Sequence, residues 1–440
     1  MNTSGGVSSA PASRAAGCRI NLKAAALLLA ACAAGCGAPS APHRSVTVWA
    51  MGREGEVVAT LLPQFQRLHP DIEVRVQQLP WSAAHQKLLT AFAGEATPDL
   101  CQLGNSWIPE FAALEALEPL EAAVAGSRVV ESADYFPGIW QTNVVAGRLY
   151  GVPWYVDTRL LFYRRDLLAQ AGFARPPRTW SEWRQMLAAI KARVGPERYS
   201  VLLPLNEFEP LLVLALQQPD HLLRDDGRFG NFESPGFHRA LEFYREAFSN
   251  GWAPPVENTQ IPNAWEELGR GYYSFYISGP WSIGEFKRRL PPEEQGSWMT
   301  APMPGPEGPG ASLAGGSSLV MFRRSRHKAE AWLLLEFLSS PAIQRRFYDV
   351  TGDLPPRRST WEAPELADDP YTRAFREQLE RVKPAPRVPQ LERIVTEMRL
   401  MAARVVHGDL SVEQGTLELD RTVDAVLAKR RWMLARGAGR

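Results

Sequence analysis

After about residue 45, short β-branched runs alternate with amphipathic stretches. Val46-Thr47-Val48-Trp49 predicts a strand. Val57, Leu61, Phe65 and Leu68 fall three or four apart, which predicts one helical face over Glu56 to Leu68. Pro63 lies inside that stretch and is expected to kink or shorten the helix. His69-Pro70-Asp71 is a turn, and the alternation of Ile72, Val74 and Val76 predicts a second strand. Ala83 to Ala93 reads as a helix ended by Gly94, and Leu100 to Leu103 as a third strand entered through Pro98-Asp99. Strand, helix, strand, helix, strand predicts a parallel sheet with right-handed crossovers.

The second half repeats this class without repeating its sequence. Gly151 to Val156, Leu160 to Tyr163 and Ser274 to Ile277 are strand-like. Asp166 is placed to cap a short helix that stops at Gly172. Thr179-Trp180-Ser181-Glu182 has the form of a capping box, and Trp183, Leu187, Ile190 and Val194 continue one face of the helix it opens. The Pro- and Gly-dense stretch from Ala301 to Gly316 reads as a connector between domains. Ala329 to Leu338 is amphipathic, and Ser411-Val412-Glu413-Gln414 caps a last helix through Leu427.

With 440 residues, 45 % of them hydrophobic, the chain can bury a real core and is expected to form two domains. Its 49 basic and 48 acidic residues nearly cancel, so no net field points to nucleic acid. Arg14, Arg19 and Lys23 precede a short apolar run from Ala24 to Ala31, the pattern of a secretory signal over residues 1–31. Leu29-Ala30-Ala31-Cys32 resembles a bacterial lipobox, with Cys32 the acylated residue and Cys36 the alternative. An ordinary cleaved signal with incidental cysteines is the competing reading. Acylation would hold the protein at the outer face of the cytoplasmic membrane, with residues 32–44 as a tether. Cys101 alone lies in the body, where it reads as a small buried hydrophobe.

The sequence contains no P-loop, no dinucleotide loop, no H-E-x-x-H, no C-x-x-C and no G-x-S-x-G elbow. The seven His are scattered without metal-ligand spacing, so neither a metal nor a cofactor is expected. What stands out is Trp: 14 residues, with Trp81, Trp107, Trp154, Trp265 and Trp281 at loop or turn positions. Indole faces cover the C–H faces of sugar rings, while carboxylates, amides and guanidinium groups bond the hydroxyls. Core packing is the ordinary alternative for each. In open parallel sheets ligands bind beyond the carboxyl ends of strands. The three loops there carry Glu54, Trp81, Asn105 and Trp107. Glu54 and Glu56 also read as charges complementing a helix N-terminus.

Several stretches together carry a family resemblance. They are Leu149-Tyr150-Gly151-Val152-Pro153-Trp154-Tyr155-Val156-Asp157-Thr158 and its continuation through Phe162-Tyr163 to Asp166, Phe275-Tyr276-Ile277-Ser278-Gly279-Pro280-Trp281, Gly315-Gly316-Ser317, Gly352-Asp353-Leu354-Pro355-Pro356-Arg357, and Pro389-Gln390. In order and spacing, residues from about 45 to 430 resemble family 1 extracellular solute-binding proteins, the maltose-binding-protein-like sugar receptors of ABC importers.

That resemblance implies an α/β, two-lobed periplasmic-binding-protein type II fold with the ligand in the interlobe cleft. It implies residues 45–152 with 301–353 as lobe I, and 153–300 with 354–440 as lobe II. It implies a monomeric receptor, not an enzyme, that captures a sugar or oligosaccharide and delivers it to ABC permease subunits. Carried over by position, Asp157 is a hydroxyl acceptor, Trp281 a stacking platform, Gly315-Gly316 a close-approach wall and Arg357 a donor. Asp157 as a turn residue, Trp281 as a core residue and Arg357 as a surface or hinge ion pair remain open readings. Trp265 and Asn206-Glu207 are further candidates in lobe II. A binding protein for glycerol phosphate or a peptide, and a secreted carbohydrate-active enzyme, are the rival functions.

Overall fold

A computed structural model describes residues 44–437. The signal sequence, Cys32, Cys36 and the tether up to residue 43 lie outside the described residues. Along the chain, β1 (Arg44–Met51) leads into α1 (Gly52–Leu68), then β2 (Ile72–Leu79), α2 (Trp81–Ala93) and β3 (Leu100–Gly104). After shorter helices come β4 (Val152–Val156) and β5 (Leu160–Arg164). Next are α3 (Trp180–Val194), β6 (Val201–Leu202), α4 (Glu209–Leu216), α5 (Pro235–Ser249), β7 (Phe275–Ser278), α6 (Trp281–Arg289) and β8 (Trp298–Ala301). β9 (Ser312–Leu313), β10 (Gly316–Met321), α7 (Lys328–Ser339), α8 (Pro341–Thr351), β11 (Val382–Lys383), α9 (Leu391–His407) and α10 (Val412–Gly437) complete the framework.

The predicted β–α–β–α–β run forms as expected. β2 and β3 flank β1, both parallel to it. Two later strands extend this sheet to the order β2-β1-β3-β10-β4, with β10 antiparallel to both neighbours. α1 runs through Pro63 to Leu68: Pro63 is exposed, and the buried stripe of Val57, Val58, Leu61, Leu62 and Phe65 holds the helix on the sheet. The second lobe is built on the sheet β8-β5-β7-β6. There Thr179 Oγ accepts from the Glu182 amide at 3.1 Å, while the Glu182 carboxylate turns back to the Arg178 amide at 2.7 Å. Ser411 and Gln414 make the reciprocal capping box, and α10 continues past Leu427 to Gly437.

The lobe boundaries shift from those implied above. Val152–Val156 belongs entirely to the first sheet, because β4 pairs with β10. The Ala301 to Gly316 stretch does carry the chain from the second lobe to the first, but only its end near Gly315 crosses, and residues 302–310 do not bridge the lobes. The Trp180 amide donates to Gly305 O, the Met303 amide to Gln378 Oε1, and Gln378 Nε2 to Gly310 O, so the run packs on the second lobe. The chain crosses between lobes at three adjacent places. The Val156 amide donates to Leu354 O at 2.9 Å and the Asp157 amide to Gly315 O at 3.1 Å. Three crossing segments are thereby hydrogen-bonded side by side.

One aromatic reading is corrected and the reading of the body's cysteine holds. Trp154 is 1 % exposed and packs 4.5 Å from Phe347 in the first core, so it is no ligand platform. Cys101 is buried, as expected, and burial pushes its thiol well up from its ordinary range.

Candidate ligand cleft

A cavity of about 460 Å³ opens where the three crossings meet the carboxyl ends of β1, β2 and β3. Glu54, Trp81, Asn105, Trp107, Asp157, Trp281 and Gly316 all line it. Trp265 and Arg357 do not. Trp265 donates its indole N–H to Ser282 at 3.0 Å, beneath the Arg289 guanidinium. Arg357 is 6 % exposed and donates to Asp134 at 2.6 Å, Val129 O at 2.7 Å and Ser339 O at 2.9 Å. Every one of these partners lies away from the cavity, so Arg357 is a buried ion pair and not a ligand donor. Asn206 and Glu207 bond Asn258, and their neighbours Phe208 and Glu209 face the cavity in their place.

The first lobe contributes an aromatic wall and a carboxylate. Trp81 opens α2 at the end of β2 and stays 37 % exposed. Trp107 follows β3 and meets Trp81 edge to face, with ring centroids 5.6 Å apart. His85 lies 5.0 Å from Trp107 and bonds Glu110 at 2.7 Å, which fixes the back of this wall. Glu54 sits in the first turn of α1. The Tyr155 hydroxyl accepts from Gln102 at 3.1 Å and from Ser317 at 3.0 Å, which leaves its own proton for Glu54. Trp81 supplies a second hydrogen bond to the same carboxylate. Burial nevertheless raises the Glu54 pKa above its ordinary value.

Asn105 is the clearest sign of an unfilled valence. It is 8 % exposed, its Oδ1 accepts from Ser318 Oγ at 3.0 Å, and its buried Nδ2 has no hydrogen-bond partner among the described residues. A buried amide donor without a partner is costly, about 1–3 kcal/mol, unless something else accepts from it.

The crossings and the second lobe contribute charge. Arg159 bonds both Asp157 and Glu209, the latter at 2.7 Å, and its guanidinium lies 4.6 Å over the Trp281 ring. Burial opposes its charge, but the two carboxylates hold it protonated above its ordinary range. Trp281 opens α6 at 39 % exposure, resting against Gly279 where no Cβ would fit. Burial raises the pKa of Asp157, with Arg159 opposing.

Asp353 reaches the cavity from the third crossing, and its carboxyl is pushed up to about 7 by burial and then by Glu54. A carboxyl raised in the folded state adds stability below its unfolded value near 4 and loses it as pH rises through about 7. Asp353→Asn should therefore stabilise the unliganded protein at pH 8 by about 1–2 kcal/mol after solvent screening, seen as a higher melting temperature, and leave it unchanged at pH 4. Melting scans at the two pH values check this.

Sequence reasoning missed Arg159, Glu209, Tyr155 and Asp353. A signal existed for Arg159: a cation two residues past Asp157, in the short link between two predicted strands. Glu209-Pro210 also reads as a helix first turn, which turns its carboxylate toward the loop before it. The wall made by Pro384, Ala385 and Pro386 carried no comparable signal.

Comparison with known proteins places this geometry. Residues 52–345 match the family described as bacterial extracellular solute-binding protein. The sugar-binding protein MalE of the phytopathogen Xanthomonas citri is 57 % identical, superposes with a TM-score of 0.87, and matches 89 % of this chain and 99 % of its own. The diacetylchitobiose-binding protein DasA of Streptomyces coelicolor is 24 % identical over 72 % of this chain and 75 % of its own length. The maltotriose-binding protein of Pyrococcus abyssi is 23 % identical over 79 % and 74 %. With its two sheets, three adjacent crossings and the cavity between them, the chain belongs to the bacterial extracellular solute-binding proteins.

Proposed function

We propose that the protein captures a carbohydrate in this cleft and delivers it to the permease of an ABC importer. The observation that carries this reading is one cavity lined by three indoles, Trp81 and Trp281 exposed and Trp107 half-buried, and by polar groups suited to hydroxyls. Trp81, Trp107 and Trp281 offer apolar faces for C–H surfaces. Glu54, Asp157 and Asp353 accept from hydroxyls, and the unpartnered Asn105 Nδ2 donates to one. The relatives named for sugars support the ligand class. A phosphate ester fits poorly, because the cavity is lined by carboxylates, Arg159 is already matched by two of them, and the Arg387 guanidinium is directed to Gln141 and to Val144 O. No observation favours chemistry on the ligand, and the protein acts as a binder.

Capture proceeds by closure. Glu54, Trp81, Asn105 and Trp107 come from the first lobe, Glu209 and Trp281 from the second, and Asp157 from a crossing. A sugar that touches both lobes only when they are closed has the differential affinity that shifts the equilibrium to the closed form. Acylation at Cys32, or at Cys36, would keep this monomeric receptor at the outer face of the cytoplasmic membrane beside its permease.

A thermal-shift and calorimetry screen with maltose, maltotriose, diacetylchitobiose and glycerol 3-phosphate tests the reading. At least one sugar should stabilise the protein, by an amount that grows with its concentration. Stabilisation by the phosphate ester alone overturns it, and cleavage of a bound sugar turns it toward an enzyme. Trp281→Ala should weaken the sugar that binds. An indole patch of roughly 60–100 Å² contributes about 1.5–2.5 kcal/mol, or about 10- to 70-fold in Kd. Because Trp281 is already half exposed, its loss should leave the melting temperature of the unliganded protein nearly unchanged.

A further inference from the structure

The last turns of α10 form a surface that the cleft does not explain. Val412, Leu419, Val423 and Leu427 bury this helix against the second lobe, and none of the described residues beyond Leu427 is fully buried. Lys429, Trp432, Met433 and Arg436 then follow at spacings of three, one and three, so they share one helical face. Trp432 is 55 % exposed and Met433 43 % exposed, and the Arg436 guanidinium lies 4.0 Å over the Trp432 ring. Arg430 and Arg431 point elsewhere: they bond Gly227 O and Arg228 O at 3.0 and 2.9 Å and hold the helix to a hairpin in which Leu223–Arg224 pairs with Phe229–Gly230.

Charge is concentrated here. No Asp or Glu follows Asp424 in the sequence, while the whole chain is close to neutral. Position matters as well. The hairpin touches Val388 at Gly227, and Pro386 and Arg387 just before Val388 line the cavity. Through Arg430 and this hairpin, the helix that carries the stripe is tied to the segment that lines the cavity.

We infer that this stripe is a docking surface for an anionic phospholipid membrane. An indole and a thioether flanked by cations on one helical face match a headgroup layer: the ring and thioether enter the boundary and the ammonium and guanidinium meet phosphates. An acidic protein surface offers charge but no apolar layer for Trp432 and Met433. Such docking would fix how the second lobe sits on the bilayer, and it does not depend on which solute the cleft holds.

The test uses the full chain with Cys32→Ser and Cys36→Ser, so that no acyl chain tethers it. Flotation with equimolar phosphatidylglycerol–phosphatidylcholine vesicles is compared with pure phosphatidylcholine vesicles. The expected result is binding to the anionic vesicles alone, reversed by high salt. Lys429→Glu with Arg436→Glu should lower it by more than roughly tenfold, and Trp432→Ser should also lower it. Lys429→Gln with Arg436→Gln is the milder pair should the charge reversal unfold the helix. Sugar-induced thermal shifts should be unchanged in every variant, which separates this surface from the cleft. Equal binding to neutral vesicles, no binding by the parent, or full binding by the variants overturns the inference. So does lost solute uptake by the variants in cells with vesicle binding intact, since that result assigns the stripe to a protein partner.

Discussion

Arg357→Ala should lower the melting temperature by on the order of 10 °C and leave the sugar affinity of the folded protein unchanged. The guanidinium is almost wholly buried, with charge-assisted bonds to Asp134 and to two backbone carbonyls, and it stacks 5.4 Å from the Tyr135 ring. Removing one member of a buried pair leaves the other uncompensated, at a cost of about 3–5 kcal/mol. At about 2–4 °C per kcal/mol for a folding unit of this size, the shift follows. The acid limb should change too. Burial alone would raise the Asp134 carboxyl, but Ser359 and Arg357 hold it below its ordinary value. A lowered carboxyl adds stability above its unfolded value near 4 and loses it as pH falls through the folded value. The gap between wild type and variant should therefore narrow as pH drops from 7 to 3. Melting scans across that range, with calorimetry at low temperature, check both claims. Weakened binding at an unchanged melting temperature would restore Arg357 as a ligand donor.

This reassignment shows where the sequence was legible. A cationic residue just past a crossing segment reads identically whether it reaches the ligand or a buried carboxylate. The choice depends on Asp134, 223 residues away along the chain. By contrast, Glu54, Trp81, Asn105 and Trp107 were legible because strand periodicity fixes where β1, β2 and β3 end, and ligands in such sheets sit beyond those ends. Hydrophobic period together with turn signals such as His69-Pro70-Asp71, Gly94 and Pro98-Asp99 located the elements, as the five-element start of the first lobe shows.

What it could not locate was assembly across the lobes. β4 is buried along its whole length, so no alternation marks which side of Trp154 faces the core. Arg159, Glu209 and Asp353 come from three separate segments, and only the crossings bring them together. The 302–310 run carries the Pro and Gly of a linker, yet Gln378 ties both ends of it to one lobe. Composition predicts turns there correctly but is silent about which surface the turns rest on.

Gly316→Ala should abolish binding, by more than roughly 100-fold, and destabilise the protein by about 3–5 kcal/mol. Gly316 holds φ at +132°, where an L side chain is strained at a cost of about 1–3 kcal/mol. A Cβ there would lie 2.2 Å from Tyr155 O and 3.0 Å from Val156 Cα, both backbone atoms that no rotamer change can move. The strand must shift instead. The Gly316 carbonyl accepts from the Asn105 amide at 3.0 Å, and the neighbouring Gly315 carbonyl accepts from the Asp157 amide. Each lost bond adds about 0.5–1.5 kcal/mol. The same shift displaces Asn105, Tyr155 and Asp157 together, so affinity falls further than stability alone requires. Gly284→Ala is the matched control. It lies inside α6, where a Cβ meets nothing nearer than an Arg288 nitrogen at 3.9 Å, and Ala is the better helix former by about 0.5–1 kcal/mol. That variant should bind normally and melt at or above the wild-type temperature. Wild-type affinity and melting in Gly316→Ala would mean that the three crossings tolerate separation, and that the cleft is not built on their close approach.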